Sequence, residues 1–255
     1  MGGFADRDLS RDAFLGGKVM LYQPVRGYRA GVDPVLLAAA VPAKPGQSVL
    51  ELGCGAGPAF LCLSARVPGI SCTGVELQAP YADLARRNVA ENQADAEVIE
   101  ADLSALPDGL RQRQFNHVLA NPPYYRAGAH VAADDAGRRT ALGEETPLKD
   151  WVSIAAKRLK PKGYLTMIQR ADRLPDMLDA CAGRLGSLEL LPLAPRSGRT
   201  AELVILRARK DGRAPFRLHA PQILHAADRH IRDGDDYRPE ITAVLKQGAG
   251  LPWPE

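Results

Sequence analysis

The chain has 255 residues, of which 45% are hydrophobic and 25% charged, and its formal net charge at pH 7 is +3. This length suits one large hydrophobic core, so we expect a single domain. The small net charge alone does not indicate a nucleic-acid partner, and no apolar run reaches the roughly 18 residues that span a membrane. The four cysteines lack the paired spacing of a zinc site, which predicts a cytoplasmic protein without a bound metal.

The first predicted elements are a hairpin and a helix. Gly16-Gly17 lies among β-forming residues and predicts a short hairpin within residues 13–28. Asp33-Pro34 has the pattern of a helix N-cap followed by proline at the first helical position, which predicts a helix over residues 35–41. A stretch rich in proline, at residues 42–46, ends this helix.

Strands and helices alternate through the rest of the chain. This alternation predicts an α/β fold in which a mainly parallel sheet carries helices on both faces. The predicted strands are residues 48–52, 71–76, 97–101, 115–120, 164–169, 188–193 and 202–209. The predicted helices are residues 58–66, 80–92, 151–159 and 174–185, and periodicity returns at 241–246.

A glycine-rich motif, Glu51-Leu52-Gly53-Cys54-Gly55-Ala56-Gly57, follows the first strand of this sheet. Glycines allow a sharp turn from strand to helix and leave bare N–H groups for a ligand at the start of the helix. Glu76 closes the next strand about twenty residues later, where an acidic group reaches ribose hydroxyls in this architecture. Asp102 and Asn121 follow the third and fourth strands. We therefore expect these side chains to meet at one edge of the sheet.

A second motif, Asn121-Pro122-Pro123-Tyr124, points to chemistry at a planar nitrogen. An amine conjugated to a ring is a poor nucleophile because its lone pair is delocalised. An Asn side-chain oxygen and a rigid backbone carbonyl can hold its N–H groups and turn the lone pair towards a methyl donor. The prolines favour extended geometry and remove competing N–H donors. Tyr124 offers a flat face on which the acceptor can stack.

Positive charge is concentrated after this second motif. Between Arg138 and Arg217 there are 17 Lys and Arg against 9 Asp and Glu. The polar stretch at residues 125–147 predicts a functional loop. We expect Tyr124, Tyr125, Arg138, Arg139, Arg196 and Arg199 to contact an RNA substrate, although a solvated basic face is also compatible with this charge pattern.

The ordered set of motifs resembles the class I, Rossmann-like methyltransferases, which use S-adenosylmethionine and have a seven-stranded sheet. A narrower resemblance rests on Gln23, on Gly27-Tyr28-Arg29-Ala30-Gly31-Val32-Asp33-Pro34-Val35-Leu36-Leu37-Ala38 and on Asn121-Pro122-Pro123-Tyr124-Tyr125. These segments are similar to the bacterial tRNA adenine N6-methyltransferases that modify the anticodon loop of a valine tRNA. The resemblance covers most of residues 23–210.

This resemblance implies roles for individual residues. Gly53, Gly55 and Gly57 would contact the methionyl part of the cofactor, Glu76 its ribose and Asp102 its adenine. The other residues expected at the cofactor are Arg29, Asp33, Glu51, Leu77, Leu103 and Asn121. The residues expected to act on the acceptor are Asn121, Pro122 and Tyr124. The expected partner is RNA, and specifically tRNA. We expect neither a membrane partner nor a bound metal.

Three other functions remain open at this point. The second motif also suits methylation of a protein glutamine amide or of guanine N2 in ribosomal RNA, and an RNA-binding scaffold could keep the same fold without catalysis. Enzymes that methylate glutamine usually have a separate helical N-terminal domain, whereas the residues before the first strand here look partly β. The expected segments are residues 1–45, a hairpin and helix packed on the cofactor pocket; 46–210, the methyltransferase domain; and 211–255, its extension.

Overall fold

The computed structural model describes residues 3–126, 143–144, 146–227 and 236–253. Its strands are β1 (Leu9–Phe14), β2 (Val19–Pro24), β3 (Ser48–Leu52), β4 (Ser71–Glu76), β5 (Ala96–Glu100), β6 (Phe115–Ala120), β7 (Tyr125–Arg126), β8 (Gly143–Glu144), β9 (Leu159–Arg170), β10 (Gly186–Ala194), β11 (Leu203–Arg209), β12 (Arg217–Leu218) and β13 (Gln222–Ile223). Its helices are α1 (Asp33–Ala40), α2 (Pro58–Arg66), α3 (Ala79–Glu91), α4 (Asp108–Arg111), α5 (Leu148–Arg158), α6 (Leu174–Cys181) and α7 (Pro239–Thr242).

Seven long strands form the central sheet in the order β5, β4, β3, β6, β9, β11, β10. Strands β3, β4, β5, β6 and β9 pair in parallel, and β11 runs antiparallel between β9 and β10. This arrangement confirms the predicted class I methyltransferase sheet. The short strands β12 and β13 pair in parallel with β10 and were not predicted, because two residues are too few to show a pattern.

Helices cover both faces of the sheet, so its central strands are buried on two sides. Alternate residues of the strands face α1, α2 and α3 on one side, and the others face α4, α5 and α6. Four of the five residues of β3 and five of the six residues of β6 are therefore buried, including the polar Glu51 and His117. Within the described ranges, no helix has the length and apolarity needed to cross a membrane.

The N-terminal hairpin lies further upstream than the sequence predicts. Its strands pair from Leu9 with Pro24 to Phe14 with Val19, whereas the prediction was residues 13–28. The polar residues Ser10, Arg11 and Asp12 gave β1 no hydrophobic alternation, so the pattern missed it. The turn does contain the predicted Gly16-Gly17 pair.

Two asparagines, Asn88 in α3 and Asn92 directly after it, bond this hairpin. Asn88 is fully buried; its Oδ1 accepts from the Tyr22 N–H at 2.7 Å, and its Nδ2 donates to the carbonyls of Tyr22 at 3.0 Å and Ala56 at 2.9 Å. Asn92 makes the same pair of bonds to Met20, at 2.8 and 2.7 Å. These side-chain amides thus bond the N–H and carbonyl groups of β2 that a neighbouring strand would otherwise bond.

The C-terminal segment passes along the other side of α1. The Leu251 N–H donates to the Ala39 carbonyl at 2.9 Å, and the Trp253 ring lies 3.8 Å from the Arg207 guanidinium. Trp253 Nε1 also donates to the Glu189 carboxylate at 2.7 Å. Helix α1 is therefore attached to the sheet from the C-terminal segment as well as through the hairpin. The division into residues 1–45, 46–210 and 211–255 stays a prediction.

We expect Asn88→Ala to lower the free energy of unfolding by about 3 kcal/mol, because it leaves three backbone groups around a fully buried side chain without their partner. Asn92→Ala is the matched control, since that side chain bonds the hairpin in the same way but is only half-buried. Urea denaturation of both variants measures the difference. Equal losses in the two variants would contradict the role given to burial.

Candidate active site

A cavity of about 380 Å³ opens at the edge of the sheet where β3, β4, β5 and β6 end. Because these strands run parallel, the residues that follow them converge there, as the sequence predicts. The loop before α1 and the start of α5 complete the wall. The lining residues are Tyr28, Arg29, Gly31, Asp33, Pro34, Glu51, Gly53, Cys54, Gly55, Pro58, Val75, Glu76, Leu77, Gln78, Tyr81, Ala101, Asp102, Leu103, Asn121, Pro122, Pro123, Tyr124, Thr146 and Trp151.

The glycine turn contributes two of its three predicted glycines to the cavity wall. Gly53 and Gly55 line the cavity with φ of 63° and 56°, in the left-handed region that favours glycine. A Cβ on Gly55 would meet no described atom within 4 Å, so its backbone is open to a ligand. Gly57 does not line the cavity; it precedes α2, and a Cβ there would lie 2.7 Å from the ring of Phe60.

Two buried carboxyl groups lie beneath this turn. Glu51 accepts from the Phe60 N–H at 2.9 Å, and burial raises the pKa of its carboxyl to about 8, with the nearby Glu76 charge adding to the rise. Glu76 accepts from the Gly55 and Gln78 N–H groups, both at 2.8 Å, and burial raises its pKa as well. Glu76 thus holds the glycine turn in place.

The wall beyond β4 and β5 is formed by Leu77, Asp102 and Leu103. Leu77 is 49% exposed, a high value for an apolar side chain, and it offers a surface for a flat ring. Strand β5 ends at Glu100, so Asp102 lies two residues beyond the end of its strand. Its carboxylate accepts from the Ser104 N–H at 2.7 Å and hydroxyl at 2.8 Å. Asp102 therefore caps the turn that carries Leu103.

The Asn121-Pro122-Pro123-Tyr124 segment forms the opposite wall. The Oδ1 atom of Asn121 is buried and has no hydrogen-bond partner among the described residues. A buried amide oxygen without a partner costs free energy, and such groups often mark a site for a ligand donor. Gln169 is fully buried, and its Nε2 donates to the carbonyls of Pro122 at 3.3 Å and Pro123 at 3.1 Å.

Tyr124 is held by Asp33. Its hydroxyl donates to Asp33 Oδ2, and burial together with that carboxylate raises the pKa of Tyr124. The predicted N-cap role of Asp33 is wrong, because Val32 precedes the helix and Asp33 lies within its first turn without a side-chain capping bond. Burial raises the pKa of the Asp33 carboxyl, while the bond from Tyr124 lowers it. A contact distant in sequence thus outcompetes the local capping pattern.

Arg29 lines the mouth of the cavity, but its guanidinium points back to the hairpin. It bonds the Asp12 carboxylate at 2.7 Å, the Ser10 hydroxyl at 2.7 Å and the Pro24 carbonyl at 3.0 Å. The geometry gives Arg29 a structural contact, and its role at the cofactor stays a prediction.

The residues predicted to contact RNA lie in different surroundings. Arg196 is held by Asp236 at 2.8 Å and by the Ala227 carbonyl, and its side chain is only 12% exposed. This corrects its assignment as a cation available for phosphate. Arg199 is exposed in the turn between β10 and β11, at the same edge of the sheet as the cavity. Tyr125 is described only in its backbone, where β7 pairs with β8. Arg138 and Arg139 lie outside the described residues.

Several residues of the site carry no signal in the local sequence. Trp151 is buried, lines the cavity and packs on Gly53, where an added Cβ would lie 2.6 Å from its ring. Tyr81 also lines the cavity and bonds the backbone of Tyr28. Gln169 does not line the cavity but holds the prolines from behind. The positions of these residues in predicted helices and strands indicated core packing only.

The cavity fits a nucleoside-type cofactor. It offers the open backbone at Gly55, two carboxyl groups at Glu51 and Glu76 for hydroxyl or cationic groups, and the apolar surface of Leu77 for a base. In the described parts of the chain, no group of three or more His, Cys, Asp or Glu residues is placed to hold a metal.

Comparisons with known proteins agree with this geometry. A family model described as the methyltransferase small domain matches residues 30–188. The tRNA1(Val) (adenine(37)-N6)-methyltransferase of Porphyromonas gingivalis is 33% identical over 175 residues, which are 64% of this chain and 67% of that relative. The enzyme of the same name from Dickeya chrysanthemi is 28% identical over 212 residues, or 81% of each chain.

A solved structure shows the same fold along nearly the whole chain. A predicted O-methyltransferase from Agrobacterium tumefaciens superposes with a TM-score of 0.70 at 27% identity, covering 86% of this chain and 97% of that one. The family model spans more than half of the chain and includes both the glycine turn and the Asn-Pro-Pro-Tyr segment. The chain therefore belongs to the methyltransferase small-domain family and is an S-adenosylmethionine-dependent methyltransferase.

Proposed function

We propose that this enzyme methylates the exocyclic N6 of an unpaired adenine in RNA, and that the RNA is a tRNA. The observation that carries the proposal is the Oδ1 atom of Asn121, which is buried at the cavity without a partner among the described residues. An adenine amine can donate one N–H to this oxygen. Its lone pair is then oriented out of the ring plane for attack on the methyl group.

The proline carbonyls support the same orientation. Gln169 fixes the carbonyls of Pro122 and Pro123, and each carbonyl oxygen keeps a second lone pair. Pro122 can therefore accept the other N–H of the amine while Gln169 holds its position. When bound, the cofactor supplies an electrophilic methyl group on a sulfonium that leaves as a neutral thioether. The residues of the chain align the amine, whose nitrogen would bond the methyl carbon as the carbon–sulfur bond breaks. The methylated nitrogen would then release one proton to water, so no nucleophilic side chain is needed.

The cofactor would be held by the residues at the ends of β3, β4 and β5. Gly53 and Gly55 would lie beside its methionyl part, Glu76 would accept from the ribose hydroxyls, and Leu77 and Leu103 would enclose the adenine. Asp102 already accepts from Ser104, and its remaining lone pairs would accept from the adenine amine.

Adenine in an RNA loop is favoured over the other acceptors. The relatives that align with 67% and 81% of their own lengths are both named as tRNA adenine N6-methyltransferases. An unpaired loop base costs least to extract from its stack, and Tyr124 offers it a new stacking partner. The test below distinguishes adenine N6 from the two alternative acceptors, guanine N2 and a protein glutamine.

The direct test is nucleoside mass spectrometry of tRNA treated with the purified enzyme and cofactor labelled in its methyl group. We expect labelled N6-methyladenosine from the wild type. Asn121→Ala should lower kcat by about 100-fold with little change in cofactor Kd, because the removed oxygen meets only the acceptor. Labelled methylguanosine, or label in a protein, would contradict the adenine assignment. Near-normal turnover of Asn121→Ala would remove Asn121 from the mechanism.

We expect Glu76→Ala to raise the Kd for S-adenosylmethionine by more than about tenfold, since it removes both the ribose acceptor and the support of the Gly55 N–H. Glu100→Ala is the matched control, because Glu100 is paired with Glu76 in register but is exposed and does not line the cavity. Isothermal calorimetry measures both values. An unchanged Kd in Glu76→Ala would mean that another group holds the ribose.

The bond between Tyr124 and Asp33 can be tested by a double-mutant cycle. We expect Tyr124→Phe to lower kcat/KM for RNA by about tenfold, because it removes the bond that anchors the stacking ring. Asp33→Asn should lower kcat/KM by less, because an amide oxygen still accepts from the hydroxyl but more weakly than a carboxylate. The double variant should be no worse than Tyr124→Phe, and Tyr124→Ala should be the most damaging. The cofactor Kd should stay constant throughout. A rise in this Kd on Asp33→Asn in both backgrounds would instead place Asp33 at the cofactor.

A further inference from the structure

Arg170 lies beside the acceptor segment, Asn121-Pro122-Pro123-Tyr124. It is the last residue of β9, which pairs in parallel with β6. Ala120, at the end of β6, is in register with Met167. Pro123 and Arg170 each follow this pair by three residues. Because neighbouring strands lie about 4.8 Å apart, Arg170 emerges next to the acceptor segment at the same edge of the sheet.

A buried side-chain amide connects Arg170 to the acceptor segment. The Oε1 atom of Gln169 accepts from the Arg170 N–H at 2.8 Å. The Nε2 atom of the same amide donates to the carbonyls of Pro122 at 3.3 Å and Pro123 at 3.1 Å. Gln169 is fully buried. Its amide therefore fixes the backbone of Arg170 relative to the two prolines.

The guanidinium of Arg170 is partly exposed and acts on Tyr124. The Arg170 side chain is 40% exposed. Burial raises the pKa of Tyr124, and the positive charge of Arg170 acts in the opposite direction. A charge changes the pKa of another group in this way at short range. The guanidinium therefore lies near the ring on which the acceptor would stack.

Arg170 is paired with Asp172. Its Nε and Nη2 atoms lie 3.1 to 3.2 Å from the Asp172 carboxylate, whose side chain is 61% exposed. An exposed ion pair of this kind contributes little to the free energy of folding. A guanidinium binds phosphate oxygens through the same parallel N–H groups that it offers to a carboxylate. A phosphate can therefore take the place of Asp172 at little cost.

The charge at this edge of the sheet changes sign along its length. Residues 169–173 and 195–202, at the end of β9 and in the turn between β10 and β11, contain four Arg against two acidic residues. Residues 74–78 and 98–103, at the ends of β4 and β5, contain three acidic residues and no Lys or Arg. A phosphate is therefore attracted over β9 and repelled over β4 and β5.

We propose that Arg170 binds the RNA phosphate next to the methylated nucleotide. This inference rests on the proposed function, because it takes RNA as the substrate. The target base would enter the cavity and stack on Tyr124, while the sugar–phosphate backbone stays outside, over the ends of β6 and β9. The guanidinium of Arg170 then exchanges the Asp172 carboxylate for phosphate oxygens. The exposed Arg199 lies further along the same edge, towards β10, and continues the basic path.

The first test compares Arg170→Gln with Asp172→Asn. We expect Arg170→Gln to raise the Kd for tRNA by about tenfold, through loss of a charge-assisted contact, and to reduce the slope of log Kd against log salt concentration by roughly one unit. Asp172→Asn should not raise this Kd, because it removes only a competitor of the phosphate. Equal rises in the two variants, which a structural ion pair predicts, would overturn the inference. Filter binding with S-adenosylhomocysteine bound gives the Kd at each salt concentration.

Neutral linkages in the RNA locate the contact. Each of the two phosphates beside the methylated nucleotide is replaced in turn by an uncharged methylphosphonate. One replacement should raise the Kd of the wild type by about tenfold and that of Arg170→Gln by much less, because the variant has already lost the contact. Equal effects on the two proteins at both linkages would contradict the proposal. Arg170→Lys keeps the charge without the paired N–H groups, so its Kd should fall between the two, and it replaces Arg170→Gln in both tests if that variant does not fold.

Arg86→Gln is the matched control. Arg86 in α3 is paired with Asp83, with side chains 43% and 59% exposed against 40% and 61% in the Arg170 pair. Arg86 does not line the cavity. Its variant should keep the wild-type Kd for tRNA and the wild-type salt slope. Calorimetry should give the wild-type Kd for S-adenosylmethionine in Arg170→Gln, and a raised value would place Arg170 at the cofactor instead.

The methylated product of the wild type decides the proposed function separately. Methylguanosine would contradict adenine as the acceptor, while the two binding tests would still decide the Arg170 contact. Label in a protein would contradict both proposals. A wild-type Kd and salt slope in Arg170→Gln would overturn the Arg170 contact alone.

Discussion

Two successive proline carbonyls at the end of β6 share one buried amide, and the acceptor side of the site depends on this contact. Prolines 122 and 123 have no N–H groups of their own, so the segment cannot be held through donors at these positions. Gln169, the next-to-last residue of β9, supplies the donors to the Pro122 and Pro123 carbonyls instead. Asn121 and Tyr124 flank the two prolines, and their relative positions follow from this contact.

The acceptor wall also depends on parts of the chain that lie outside the sheet. Asp33 is carried by α1, a helix whose residues from Pro34 to Ala40 are all buried. The hairpin bonded to Asn88 and Asn92 leads into α1, and the C-terminal segment bonds the far end of α1 at Ala39. Tyr124 is therefore positioned by this helix as well as by the contact of Gln169 with the two prolines.

The sequence predicts the sheet well because its strands are short apolar runs bounded by glycine, proline or acidic residues. The same reasoning placed Gly53, Glu76 and Asn121 at one edge, since parallel strands bring their carboxyl ends together. It failed where a contact distant in sequence overrides a local pattern. Asp33 has the sequence context of an N-cap and instead bonds Tyr124; Arg196 looks like a free cation and is paired with Asp236. Gln169 and Trp151 had no local signal, because burial in a strand or helix does not show which side chain borders a cavity.

Packing of Trp151 against Gly53 also gives the protein an intrinsic optical reporter. The chain has two tryptophans, and their surroundings differ. The Trp151 indole borders the cavity, where an occupant changes the polarity around the ring. Trp253 lies against Arg207 and Glu189, away from the cavity, and supplies a constant background. Fluorescence from one native side chain can therefore follow the filling of the pocket without any label on protein, cofactor or RNA.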